Sequence, residues 1–239
     1  MHSLHAEILE MIRRHSGKAT KHTFLDGYLG NNHPRYAINV PTLRKIAKDW
    51  MKVHRTLSAS DFQKVLTSLI TGKSSTEKCM AGILLDSSSM DQRKFNPQVF
   101  DEWLEELEGW AEIDSVCTGR YTITEIPSQW TVWKKLLLQF SRSKNISKRR
   151  ASLVLLCSPL RKGEDERLVL VALQNINRLQ LEKEILITKA ISWVLRSAVR
   201  HYKQQVKKYI SMNKASLPKI ALRETMTVLR TGKKTKAKG

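Results

Sequence analysis

The stretch KRRASLVLL, residues 148–156, indicates the fold because related stretches occur elsewhere in the chain. KCMAGILL (78–85) and TKAISWVL (188–195) share its order of a long side chain, an alanine and an apolar run. Helix starts marked by a capping or turn signal fall at spacings of 34, 36, 36 and 35 residues, near Pro41, Ser75, Ala111, Ser147 and Glu182. A near-constant period of this size is typical of stacked helix pairs.

Apolar residues recur every three or four positions along the chain, and no strand-like alternation persists. We therefore predict an all-α fold, an α-solenoid of stacked antiparallel helix pairs whose concave face is the natural binding surface. Residues 1–231 are predicted to form a single helical-repeat domain, followed by a basic flexible tail at 232–239. A non-repetitive helical bundle is the alternative.

The charge of the chain points to a polyanionic partner. The sequence has 42 Lys and Arg against 22 Asp and Glu, a net charge of +20, and removing the four lysines of the tail still leaves +16. Nucleic acid is the commonest partner of so basic a surface, and an acidic membrane or an acidic protein is the lesser possibility.

Cysteine usage and hydropathy exclude several classes of protein. Cys79, Cys117 and Cys157 stand about forty residues apart without a CxxC pair, which argues against a zinc site and a disulfide framework and suggests a reducing cytoplasm. The N-terminal residues lack the uninterrupted apolar segment of a signal peptide, and no apolar run approaches the roughly 20 residues that span a bilayer. We expect a cytoplasmic protein without a metal or a cofactor.

The stretch EGWAEIDSVCTG, residues 108–119, places an aromatic ring and a carboxylate one helical turn apart. Residues four apart on a helix lie on the same face, so Trp110 and Asp114 would be presented together. They form either a functional pair or a core tryptophan followed by a solvated acid.

Residues 185–208 predict a two-faced helix. At 100° per residue, Ile187, Ile191, Val194 and Ala198 fall on a core face. The opposite face carries cations and one tryptophan within about 40° of a single line: Lys189, Trp193, Arg196, Arg200, Lys203 and Lys207. This stripe is either a solvated face or a polyanion-binding face, and Trp193 favours the second.

A second basic cluster, Lys148, Arg149 and Arg150, lies in the first turn of a predicted helix capped by Ser147. Cations at a helix N-terminus oppose the helix dipole. A phosphate held by backbone N–H groups and a guanidinium would offset that cost. The alternative is that Arg150 pairs with a carboxylate such as Asp114.

Four stretches together resemble the AlkD-type family of DNA alkylation repair glycosylases, which have HEAT-like repeats: YLGNNHPRYAINVPTLRK (28–45), GWAEIDSV (109–116), NISKRRASLVLL (145–156) and KAISWVLR (189–196). The resemblance covers roughly residues 20–230. It places Trp110, Asp114, Arg150 and Trp193 at the positions of the family's active-site residues. The chain departs from the family pattern after the tryptophan, where Ala111 and then Glu112 stand instead of an acid directly after it.

The resemblance implies a monofunctional glycosylase that excises positively charged N3- or N7-alkylated purines from double-stranded DNA as a monomer. Asp114 would stabilise the cationic sugar and orient water. Trp110 and Trp193 would flank the sugar and lesion, with cation–π stabilisation of about 0.5–2 kcal/mol each. Arg150 would hold a backbone phosphate, and the expected DNA-binding set is completed by Arg149, Lys148, Lys189, Arg196, Arg200 and Lys203.

Two other hypotheses remain at this point. The protein could bind bent or branched DNA without catalysis, or it could be a scaffold for acidic peptides. A steep salt dependence of binding would distinguish DNA binding from the scaffold. Each neutralised phosphate contributes about −0.9 to the slope of the logarithm of the binding constant against the logarithm of the salt concentration.

Overall fold

The structure is a computed structural model that describes residues 1–18 and 30–234. In these ranges the chain is helical and has no strand. The helices are α1 (Ser3–Arg14), α2 (Val40–Val53), α3 (Ala59–Ile70), α4 (Ser75–Ser87), α5 (Val99–Trp103), α6 (Gly109–Val116), α7 (Arg120–Ser128), α8 (Trp130–Phe140), α9 (Ile146–Val154), α10 (Cys157–Lys162), α11 (Glu166–Leu179), α12 (Ile185–Asn213) and α13 (Lys219–Thr231). Residues 235–239 of the predicted tail, and residues 28 and 29 of the first family-like stretch, lie outside the described residues.

The predicted repeat is confirmed by the positions of the helices. The five predicted starts fall within three residues of the observed starts of α2, α4, α6, α9 and α12. Hydrogen bonds join successive repeats at the same interval: the Ser115 hydroxyl donates to the Cys79 carbonyl, 36 residues earlier, and Arg150 donates to the Leu186 carbonyl, 36 residues later. The all-α fold of stacked helix pairs is therefore confirmed, and the concave face stays a prediction.

The chain divides into two compact units, Met1–Tyr121 and Thr122–Gly239. In the first unit α4 is the central helix and packs against α2, α3 and α6. Its core is rich in large side chains, including Trp50, Phe62, Phe100 and Trp103. The prediction of one domain over 1–231 stays a prediction.

In the second unit α12 is the central helix and packs against α9, α10, α11 and α13. The predicted core face of α12 is confirmed, because Ile187, Ile191, Val194 and Ala198 are at most 2% exposed. In the described residues of both units, no helix is both long and apolar enough to cross a membrane.

A buried polar cluster joins α1, α3 and α4. His5 hydrogen-bonds the Ser68 hydroxyl (2.9 Å) and the Glu77 carboxylate (2.9 Å). Glu77 also accepts from the Ser74 backbone N–H (2.9 Å), as part of a capping box at the start of α4. Burial by itself would raise the pKa of Glu77, but the hydrogen bonds from His5 and Ser74 outweigh it and lower that pKa. The cluster fixes the N-terminus of the central helix.

Candidate active site

Helix α6 presents Trp110 and Asp114 together, as the sequence predicted. Both side chains are half-buried and line one cleft of about 810 Å³ within the first unit. Their four-residue spacing places them on one face of the helix. The ring and the carboxylate are therefore accessible from the same cleft.

Three contacts with α4 hold α6 in place. The Cys79 thiol donates to the Ala111 carbonyl (3.7 Å), and the Ser115 hydroxyl donates to the Cys79 carbonyl (2.8 Å). Gly82 lies so close to the backbone of Ser115 that a Cβ there would come within 2.3 Å of the Ser115 carbonyl oxygen. The position of Asp114 therefore depends on a close packing that only glycine permits.

Glu112, between Trp110 and Asp114 in sequence, points into the protein and is fully buried. Its carboxylate accepts from Asn31 Nδ2 (3.1 Å) and from the Glu108 backbone N–H (2.9 Å), and it hydrogen-bonds His33 Nδ1 (3.0 Å). Glu112 thus fastens residues 31–33 to the first turn of α6. The residues that follow, 35–38, form another wall of the cleft.

The charges around the cleft are unequal. Its lining contains three cations, Lys18, Arg35 and Arg44, and Asp114 is the one acidic residue among the described residues that line it. Cys79 also lines the cleft, but burial, followed by the nearby Glu112 carboxylate, raises the pKa of its thiol to about 12. The thiol stays protonated at neutral pH, so Asp114 supplies the negative charge. The cleft suits a cationic centre on a polyanionic chain.

In the second unit, Arg150 is 4% exposed, and its guanidinium donates to the Leu186 carbonyl near the start of α12. This bond ties α9 to α12. At least one N–H group of the Arg150 guanidinium therefore donates to the protein backbone and not to a phosphate.

The start of α9 differs from the sequence prediction. Its cap is Asn145, not Ser147, because the Asn145 side chain accepts from the backbone N–H groups of Ser147 (2.7 Å) and Lys148 (3.3 Å). These two backbone N–H groups at the start of α9 therefore already have a partner within the protein. Neighbouring Lys148 is 8% exposed.

Arg149 is also held within the second unit. It forms an ion pair with Glu182 (2.9 Å), and it donates to the carbonyls of Ser143 (3.0 Å) and Lys144 (2.7 Å). The three cations lie in the first turn of the helix, as predicted, but the carboxylate that pairs with Arg149 is 33 residues away and leaves no local signal in the sequence. The DNA-binding roles of Lys148, Arg149 and Arg150 stay predictions.

The predicted basic stripe of α12 is interrupted. Tyr202 has non-helical dihedral angles (φ −121°, ψ 37°), so the straight line of side chains ends before Lys203. Trp193 and Lys189 are half-buried, and Arg200 and Lys203 are exposed. Arg196 pairs with Glu224 (3.3 Å). A helical wheel assumes an unbroken helix and contains no neighbouring helix, which is why it missed both features.

Several residues of the cleft were not predicted from the sequence. Lys18, Arg35 and Arg44 reach it from separate segments, and Glu112 and Gly82 act through packing. The basic residues of HPRYAINVPTLRK (33–45) were a usable signal for two of them.

Within residues 1–18 and 30–234, no group of three His, Cys, Asp or Glu side chains could hold a metal ion.

The chain is similar to known proteins over most of its length. Residues 9–229 match the family model described as DNA alkylation repair enzyme. Among solved structures, the chain is similar to a protein from Enterococcus faecalis described as a "predicted DNA alkylation repair enzyme", with a TM-score of 0.68 and 18% identity. The similarity covers 87% of this chain and 93% of that one, and at this identity it supports the fold. No curated protein matches the chain.

Proposed function

Because the chain belongs to the DNA alkylation repair enzyme family, we propose that it is a monofunctional DNA glycosylase that excises N3- and N7-alkylated purines from duplex DNA. The observation that carries the proposal is the Asp114 carboxylate, which lines a cleft beside Trp110 and amid three cations. The protein is further proposed to act as a monomer on DNA in the cytoplasm.

An alkylated purine of this kind carries a positive charge and is a good leaving group. When the bond between C1′ and the purine nitrogen breaks, the electron pair moves to the base and neutralises it, so no general acid is required. The deoxyribose becomes a cation, and a preorganised anion such as Asp114 stabilises that charge as it develops. Water then attacks C1′ and loses a proton, which leaves a free base and an abasic site.

The aromatic and basic residues have supporting roles in this proposal. Trp110 and Trp193 would stabilise the sugar cation and the charged base through their ring faces, by about 0.5–2 kcal/mol each. The cations of the Asp114 cleft would meet the phosphates on either side of the lesion, where charge-assisted hydrogen bonds are strong. Arg150 is proposed to contribute one phosphate contact of its own.

The test is base release from a duplex that contains one N7-methylguanine, measured at equal DNA occupancy. Asp114→Asn is expected to lower the rate by about 100- to 1,000-fold while binding persists, as when one charge-stabilising group is removed from other active sites. Asp91→Asn, the same change at an exposed position of the same unit, is the matched control and should release base at the wild-type rate.

Two outcomes would contradict the proposal. If Asp114→Asn retained the wild-type rate, the carboxylate would have no role in the reaction. If the wild type released no base while fully bound, the alternative would be favoured, namely a non-catalytic protein that binds bent or branched DNA.

A further inference from the structure

The first unit contains a second cleft of about 630 Å³, which none of the predicted site residues lines. One side of it is formed by four exposed cations, Arg44, Lys48, Lys52 and Arg55, on helix α2 and just beyond its end. We refer to this cleft as the α2 groove.

The α2 groove adjoins the cleft that contains Asp114. The two share four lining residues: Arg44, Ile83, Ser115 and Thr118. Arg44 therefore belongs to both, and the other three cations lead away from Asp114 along α2. A polymer whose reacting unit lies beside Asp114 would meet these cations with its neighbouring units.

Few acidic groups oppose the four cations. The acidic residue among the described residues of the groove lining is Asp86, and its Oδ1 accepts from the Arg120 backbone N–H (2.7 Å). Lys52 Nζ lies 3.4 Å from Asp49 Oδ1, and the two side chains are 66% and 47% exposed. Exposed ion pairs contribute little and exchange readily for other partners. The groove thus keeps an excess of positive charge.

The spacing of the cations fits a nucleic acid backbone. Arg44, Lys48 and Lys52 are each four residues apart on α2, which puts them on one side of the helix about 6 Å apart. Over the eight residues from Arg44 to Lys52 the helical rise corresponds to about 12 Å, and Arg55 follows just beyond the end of α2. One DNA strand carries a phosphate for about every 3.4 Å of duplex axis, so this length corresponds to about three to four base pairs.

The cations of the groove differ from two of the cations that were predicted from the sequence to bind DNA. In the second unit Arg149 pairs with Glu182, and Arg196 pairs with Glu224, each with less than a fifth of its side chain exposed. The four cations of the α2 groove, by contrast, are exposed. Exposed cations along a groove can neutralise phosphates without first breaking a buried contact.

We propose that the α2 groove binds consecutive phosphates of the DNA on one flank of the lesion, and that it is the main phosphate-binding surface of the first unit. This inference rests on the proposed function, because the polyanion is the DNA that carries the lesion. It adds a binding surface that the residues of the Asp114 cleft do not provide.

The experiment measures binding of the full-length protein to an undamaged 25-base-pair duplex at several salt concentrations. The variant Lys48→Ala/Lys52→Ala/Arg55→Ala leaves Arg44 and the Asp114 cleft intact. Three lost phosphate contacts should reduce the log–log salt slope by about 2.7 and weaken binding at 0.15 M salt by about 10- to 100-fold.

The matched control is Lys45→Ala/Lys64→Ala/Lys73→Ala. These three lysines are exposed residues of the same unit that line neither cleft, and the variant has the same net charge as the groove variant. Its salt slope is expected to fall by less than about 1. An equal fall in both variants would show a general effect of net charge and would overturn the proposal.

Ethylation of single phosphates gives a positional test. With a fixed N7-methylguanine, ethylation of several consecutive phosphates on one side of the lesion should weaken binding by the wild type, and the groove variant should have lost sensitivity at those phosphates. An identical pattern in both proteins would overturn the proposal. A wild type that binds a polyglutamate peptide more tightly than DNA, through the same three residues, would reassign the groove to an acidic protein.

These readouts do not depend on catalysis. If no base is released but the groove variant loses its salt slope, the glycosylase proposal fails and the groove stands. If base is released normally and the groove variant keeps the salt slope of the wild type, the proposal for the α2 groove fails and the glycosylase proposal stands.

Discussion

The Cα of Gly82 on α4 faces the backbone of Ser115 on α6 so closely that an added Cβ would lie 2.3 Å from the Ser115 carbonyl oxygen. Ser115 directly follows Asp114, and its hydroxyl also donates to the Cys79 carbonyl. The contact between the two helices therefore determines how far the carboxylate reaches into the cleft.

Gly82→Ala should force α6 away from α4, because the atom it meets is backbone and cannot rotate aside. Overpacking of this kind costs about 1–3 kcal/mol of stability. Displacement of Asp114 should also slow base release by more than it weakens DNA binding. Urea denaturation and single-turnover base release measure the two effects.

Gly17→Ala is the matched control for this substitution. Among the described residues, a Cβ at Gly17 would meet only the Ala37 carbonyl oxygen, at 3.9 Å, which is ordinary contact. We expect base release at the wild-type rate and slightly higher stability, by about 0.4–1 kcal/mol, because alanine restricts the unfolded chain. If both variants behaved alike, the contact between α4 and α6 would not position Asp114.

Glu112→Gln should loosen residues 31–33 from the start of α6, because a neutral amide cannot replace the charged acceptor of these hydrogen bonds. Hydrogen bonds to a charged group contribute about 1.5–3 kcal/mol, so the free energy of unfolding should fall by that order. Base release should fall as well, since the segment that follows forms a wall of the cleft. The control Glu106→Gln changes an exposed acid of the same unit and should alter neither quantity.

Arg150→Ala separates the two roles of this arginine. Loss of its bond to the Leu186 carbonyl should lower the free energy of unfolding of the protein by about 1–3 kcal/mol. A phosphate contact would add a fall of about 0.9 in the salt slope of DNA binding. Arg142→Ala, an exposed neighbour, is the control. A destabilised Arg150 variant with an unchanged slope would leave Arg150 with a structural role alone.

The buried pair of His5 and Glu77 predicts a pH dependence of stability. The pKa of Glu77 in the folded protein lies below its ordinary value of 4.5, so the stability from this group is present above that pH and lost as the pH falls through the folded pKa. At pH 7, Glu77→Gln should be less stable than the wild type by about 1–3 kcal/mol. The difference should shrink below about pH 4.5, since glutamine does not titrate.

Urea denaturation between pH 3 and pH 7 measures this effect. Glu10→Gln, which removes an exposed partner of Arg14 on α1, should differ from the wild type by a small amount at every pH. A Glu77 variant whose stability follows the wild type in parallel across the range would contradict the assignment.

The sequence by itself determined the helices and the pair on α6. Apolar periodicity and capping signals act over one or two turns, so the starts of α2, α4, α6, α9 and α12 could be predicted to within three residues. Trp110 and Asp114 could be placed together for the same reason, because four residues on one helix define a face without any tertiary contact.

Tertiary structure alone decided which charges are available and what surrounds Asp114. Arg149 meets Glu182 across 33 residues, Glu112 holds Asn31 across 81, and Gly82 meets Ser115 across a packed interface. The α2 groove likewise forms only where α2 lies beside residues of α4 and α6. Such pairings depend on how helices that are distant in sequence pack against one another. They could not be predicted, because a local sequence pattern does not indicate how close two such residues lie in space.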